Sequence, residues 1–160
     1  MQKTKSKGFT LIEILVVIGL IAILAAIVLI AINPARQFAQ ARNSQRESDT
    51  STLLNAIGQN VADNKGIFTC AGVTIPTAAA GAIGAAAGNV NLASCLVPTY
   101  IATGLPKDPG GTVGGVSKAV GTDNDTGYTV QANAAGRITV CAPNHAEDTI
   151  GGATAYCQTR

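Results

Sequence analysis

Glu13 is the single charged residue between Phe9 and Ile32, at the start of an otherwise apolar run. A charge at the centre of a bilayer costs several kcal/mol, roughly 2.5–3.5 for Asp, Lys or Arg on lenient insertion scales. Such a carboxylate either lies shallow and reaches lipid headgroups or takes a cationic partner. Nothing nearby within the segment supplies one. A cut after Gly8 would supply it, as a new amine at Phe9. Within one chain the two groups are four residues apart; between adjacent chains they would pair and also set the axial offset.

Two other groupings have chemical potential. Asp123-Asn124-Asp125 followed by Gly127 offers oxygen ligands in a turn, which makes Asp123 and Asp125 calcium candidates. The calcium-loop pattern is incomplete, because its twelfth position is Ala134 and not glutamate. Asx-rich turns also form for backbone reasons alone. His145 with Glu147 and Asp148 suggests acid–base chemistry or a metal, but reads better as a solvated loop. No Gly-x-Ser-x-Gly, phosphate-cradling loop or cysteine–histidine pairing is present. No catalytic residue or cofactor is therefore assigned. Asn124-Asp125-Thr126 is formally a glycosylation sequon.

The four cysteines are Cys70, Cys95, Cys141 and Cys157. Zinc sites usually need close ligand pairs, and no C-x-x-C occurs. An even count behind an export segment reads better as two disulfides in an oxidising compartment. Four cysteines allow three connectivities; Cys70–Cys95 with Cys141–Cys157 closes two local loops.

The elements that carry these residues follow from composition. Ile14 to Ile32 contains no charge or strongly polar group, and an apolar stretch of about 20 residues spans a bilayer. A secretory signal has a shorter apolar region, roughly 7–15 residues, and a small-residue cleavage site, which Asn33-Pro34 does not provide. Lys3, Lys5 and Lys7 precede the run, while Arg36, Arg42 and Arg46 follow it, so charge orients it only slightly, N-terminus inside. The cysteines settle the orientation, with the C-terminal part outside the cytoplasm.

Residues 35–65 are polar, with Leu54, Ile57 and Val61 at helical spacing, and Gly66 reads as the stop. Together these parts predict a helix from about Phe9 to Asn64, roughly 80 Å long, bent or loosened at Pro34. Residues 67–110 read as irregular, including an Ala/Gly-rich stretch from Ala78 to Gly88 and an apolar piece around Leu92–Ile101. Tyr128–Ala132 and Arg137–Cys141 alternate like strands, joined by a turn in which Gly136 takes positive φ. Thr112–Val120 and Thr149–Tyr156 are weaker strands. The expected fold is α+β, a long N-terminal helix with a small antiparallel β-sheet head and two disulfides.

Only 12% of the 160 residues are charged, about half the usual 25% share, whereas 47% are hydrophobic, which excludes a disordered chain. Of 11 basic residues three precede Gly8, which leaves 8 against 9 acidic ones in residues 9–160. A formal charge of +2 for the whole chain thus becomes −1, and no broad basic face for nucleic acid exists.

Lys7-Gly8-Phe9-Thr10-Leu11-Ile12-Glu13 followed by the apolar run resembles the class III leader of bacterial type IV pilins and pseudopilins. The resemblance implies that a membrane prepilin peptidase cuts after Gly8 and methylates the amine of Phe9. It also implies that Glu13 pairs with a neighbouring subunit's N-terminus during assembly. The family's globular part is a sheet packed on the outer half of the helix, often with a disulfide near the C-terminus, a place that Cys141–Cys157 fits. Leu105-Pro106-Lys107-Asp108-Pro109-Gly110 is similar to the proline-aspartate-proline segment of many members. Some pseudopilins bind calcium in their C-terminal loops. Many members have a proline inside the apolar stretch; here the first is Pro34, and Gly19 is the only helix-weakening residue within it.

The resulting organisation is a cationic leader (1–8), a transmembrane or filament-core half-helix (9–33), an extracytoplasmic half-helix (34–66) and a head (67–160). The expected function is that of a structural subunit, not an enzyme. It waits in the cytoplasmic membrane, in contact with lipid, as a precursor. With an inner-membrane assembly platform it then polymerises into an extracellular pilus-like filament for adhesion, motility or DNA uptake. A pseudopilin or minor pilin of a secretion or uptake pseudopilus, and a monomeric membrane-anchored binding domain, are the alternatives.

Overall fold

The computed structural model describes residues 8–113, 116–147, 150 and 154–160. The leader lysines and Asp148 lie outside them. Two helices open the chain, α1 (Leu11–Ala31) and α2 (Pro34–Asp63). Thr10 caps α1: its backbone is extended and its hydroxyl accepts a hydrogen bond from the Glu13 amide at 3.2 Å. At the other end Ile32 leaves the helix with φ −97° and ψ 109°. The sequence predicts one helix bent or loosened at Pro34; the structure shows a full interruption there. Proline crowds the preceding residue out of helical geometry, so Asn33 cannot continue α1. Pro34, whose missing N–H costs nothing at a first position, starts α2 instead. The Asn33 side chain then accepts from the Arg36 amide at 3.2 Å.

The chain divides into two units, Met1–Gln37 and Phe38–Arg160. The first holds α1 with the first turn of α2. In the second, the remainder of α2 lines a core with β4 (Thr129–Ala132) and β5 (Ile138–Ala142). Leu53, Leu54 and Ile57 are buried there with Tyr128, Val130 and Val140. Val61, read as part of the apolar stripe, is only half-buried at the core's edge. α2 stops where expected, but Lys65 itself adopts φ 59° ahead of Gly66 at 89°, and the Gly66 amide donates back to the Val61 carbonyl at 2.8 Å.

The head is an antiparallel sheet of order β1-β4-β5-β6, with β1 at Gly81–Ala82 and β6 at Tyr156–Thr159. The β4–β5 hairpin has the expected turn, with Gly136 at φ 77° and Ala132 opposite Ile138. Along β5 the inward side chains are Ile138, Val140 and Ala142, the period of two that the sequence displays. The segment Thr112–Val120 is not one strand. It contributes to a separate hairpin of β2 (Gly111–Val113) and β3 (Val116–Lys118). The Thr149–Tyr156 strand lies largely outside the described residues, and the observed strand begins only at Tyr156.

The Ala/Gly-rich stretch, expected to be irregular, supplies edge strand β1 and the buried Ile83. Its small residues permit close approach: a Cβ on Gly84 would lie 2.1 Å from the Asn124 carbonyl oxygen. The apolar piece around Leu92–Ile101 forms the short helix α3 (Ala93–Leu96), which buries Leu92 and Leu96. Disulfides join Cys70 to Cys95 and Cys141 to Cys157, the pairing that closes local loops. Cys141 and Cys157 are register partners on β5 and β6. With all four cysteines bonded, none is available to zinc.

Candidate functional site

The N-terminal helix is apolar and exposed along its length. From Leu11 to Ile30, 20 residues form a helix long and apolar enough to cross a membrane, and none is buried. At ~1.5 Å per residue that length matches a bilayer's hydrocarbon thickness of about 30 Å. Phe9, just before the helix, is 79% exposed. Glu13 is the acidic residue of the first turn, where the positive end of the helix dipole favours a carboxylate. Among the described residues its side chain makes no ion pair. Gly8, Phe9 and Glu13 are thus together at an exposed helix start.

The head carries a second polar centre that sequence reasoning missed. Arg46 of α2 is fully buried. Its Nε and Nη2 donate to the two carboxylate oxygens of Asp108 at 2.8 and 3.2 Å, and its Nη1 to Glu147 Oε1 at 2.6 Å. Nη1 also reaches Asn43 Oδ1 at 2.7 Å, and Nη2 the Gly110 carbonyl. Arg42, one turn earlier, donates through Nε to Glu147 Oε1 at 2.8 Å and through Nη2 to Oε2. Two guanidiniums thus face two carboxylates, and every one of them is occupied. Gly111, at φ 144°, makes room, because a Cβ there would meet Glu147 Oε1 at 2.6 Å.

Burial disfavours the charged form of Glu147, but the Arg42 and Arg46 guanidiniums outweigh it and hold the carboxyl below its usual range. Burial likewise opposes a charged Arg46, and the bonds to Asp108 and Glu147 more than restore it. Next to the cluster the Tyr128 hydroxyl donates to Asp49 Oδ2 at 2.7 Å. Burial and that carboxylate push the phenol well above its ordinary value. This is a lock, not a reactive site. It ties α2 to the segment before β2 and to the turn after β5.

Glu147 therefore corrects the reading of its loop as solvated. His145 is also engaged: its Nε2 lies 3.1 Å from Glu47 Oε1, Nδ1 lies 3.2 Å from the Thr154 carbonyl, and its ring stacks on Tyr156. Asp123 pairs with Lys107 at 2.9 Å, and Asp125 Oδ1 accepts from the Gly127 amide at 2.9 Å. Among the described residues no group of three or more His, Cys, Asp or Glu is placed to hold a metal. In the sequon the Thr126 hydroxyl is buried and donates to the Ile83 carbonyl at 2.8 Å. The proline-flanked segment puts Leu105 in the core and Asp108 on Arg46.

Residues 3–29 match the prokaryotic N-terminal methylation motif. This is the prepilin-type signature of type IV pilins and pseudopilins, a structural and not an enzymatic class. No curated protein and no solved structure is significantly similar to the chain.

Proposed function

We propose that this chain is a structural subunit, made as a membrane-inserted prepilin and polymerised by helix packing into a type IV pilus-like filament. The observation that carries the reading is the methylation motif at residues 3–29 coinciding with a predominantly apolar helix whose 20 residues, Leu11–Ile30, are all uncovered. In the precursor, lipid covers that surface. In a filament, the same surface is covered by α1 of other copies, so burial is exchanged rather than lost. A prepilin peptidase would cut between Gly8 and Phe9 and methylate the new amine, which stays cationic. Glu13, at the start of the helix and without an ion-pair partner among the described residues, would meet that amine on a neighbouring copy. The pairing selects one axial offset, because any other leaves a carboxylate unpaired in an apolar core.

Two measurements test this. Intact mass of the mature chain should correspond to a start at an N-methylated Phe9 with two disulfides. Glu13→Ala should leave precursor in the membrane at wild-type level and remove it from the sheared filament fraction. A mature chain that begins elsewhere, or a Glu13→Ala chain that still enters filaments, would overturn the reading. Abundance in long sheared filaments favours a major pilin; restriction to a few copies beneath the surface favours the pseudopilin role.

A further inference from the structure

A crevice of about 210 Å³ opens between the C-terminal half of α2 and the β4–β5 turn. Ile57, Gly58, Val61 and Ile138 form its apolar wall, and Arg137 and Arg160 border it. Gly58 is the informative residue. A Cβ placed there meets no atom within 4 Å, so this chain's own packing does not require a glycine. In a helix interior glycine is less favourable than alanine, and what it leaves is an open floor on which another backbone can come close. The rim is cationic and unmatched: among the described residues neither Arg137 nor Arg160 forms an ion pair. Arg160 is held by Asn55 Oδ1, to which its Nη1 donates at 2.6 Å.

A cationic border of this kind is matched by an exposed carboxylate on the same head, and Asp125 is one. Segment 116–125 sets that carboxylate beside exposed apolar side chains. Val116 and Val120 are 56% and 62% exposed. Asp125 is exposed and outside any ion pair among the described residues, whereas Asp123 pairs with Lys107 and Lys118 is the segment's one cation. A segment that presents two valines and an exposed carboxylate is complementary to an apolar, arginine-bordered crevice.

We infer that the crevice receives segment 116–125 of a second copy, with Val120 over Gly58 and Asp125 at Arg137 and Arg160. This rests on the filament reading above and names a contact between heads for it. The two patches are different surfaces of one chain, so their contact is heterologous and propagates into an open assembly.

The test uses cells that assemble the wild-type chain. Arg137→Asp and Gly58→Leu should each lower filament mass by about 10-fold or more, as truncation of a buried interface centre does, with precursor levels unchanged. Adding Asp125→Arg to Arg137→Asp should restore most of the yield. Ala135→Cys with Val120→Cys should give a ladder of cross-linked oligomers under mild oxidation, and neither single variant should. Normal assembly of both single-site variants, no recovery by charge exchange, or cross-links from Ala135→Cys to a different segment or a different protein would overturn the inference. If Glu13→Ala abolishes filaments while the crevice variants assemble normally, only this contact is wrong. If the wild-type chain forms no filaments, the underlying function is wrong.

Discussion

Arg46 and Asp108 meet fully buried across 62 positions of sequence, two nitrogens on two oxygens at 2.8 and 3.2 Å. A buried pair of this kind contributes less to net stability than its geometry suggests, because both ions lost their water. Removing one partner is another matter. Asp108→Asn keeps the shape but leaves Arg46 with excess positive charge in the core, and a loss of about 3–5 kcal/mol is expected. Lys107→Ala, which breaks the exposed pair with Asp123, should cost at most about 1 kcal/mol. Urea unfolding of the two variants measures both, and equal losses would show that the cluster is not the lock described.

Glu147 gives the cluster a pH dependence of definite sign. Its carboxyl titrates below the ordinary 4.5 in the folded chain, because Arg42 and Arg46 outweigh the effect of burial. A depressed acid binds fewer protons folded than unfolded, so its contribution is complete above the unfolded value and is lost as pH falls through the folded one. Melting temperature should therefore drop as pH is lowered from about 5 towards 2. Glu147→Gln should melt lower at pH 7 and show a flatter acid limb. An unchanged acid limb in that variant would assign the acid sensitivity to other carboxylates.

The helix that bears Arg46 shows why part of this was legible and part was not. Ala39, Asn43, Arg46, Thr50, Leu53, Ile57 and Asn60 are all buried and succeed one another by three or four positions, one continuous face of α2. Hydrophobic periodicity sees only the stretch where that face is apolar, around Leu54 and Ile57. Nearer the N-terminus the same face is ionic and looks solvated until its partners, Asp108 and Glu147, arrive from remote loops. The signal available was two arginines one turn apart in line with the apolar stripe, and an aspartate fixed between two prolines. Conversely, α1 and the β4–β5 hairpin depend on local pattern, which the sequence displays, whereas four cysteines allow three connectivities and only the fold selects Cys70–Cys95 with Cys141–Cys157. Strand β1 escaped because two small residues at a sheet edge have no periodicity to read.

Gly58 separates stability from assembly. Gly58→Ala adds a methyl group into open space on a helix interior, so the isolated subunit should gain about 0.5–1 kcal/mol and melt higher. The same methyl group narrows the crevice beside Ile57 and Ile138, so filament yield should fall. Detergent-solubilised subunit gives the first quantity and sheared filament mass the second. Both rising together would mean that nothing approaches α2 at this point.

Pro34 and Asn33 together interrupt the helical run, and their contributions differ in size. The Asn33 side chain caps the Arg36 amide at 3.2 Å, an interaction worth about 1 kcal/mol. A proline within a continuous helix would cost about 3 kcal/mol or more, since it removes a donor and clashes with the preceding turn. Proline is thus the larger cause. Pro34→Ala should let residues 32–34 join α1 to α2, with a new amide at position 34 able to donate to the Ile30 carbonyl. Amide exchange in micelles should then show slowed exchange at positions 33–36, whereas Asn33→Ala alone should leave the interruption in place. If Pro34→Ala exchanges as fast as wild type while Asn33→Ala becomes protected, the cap and not the ring sets the break.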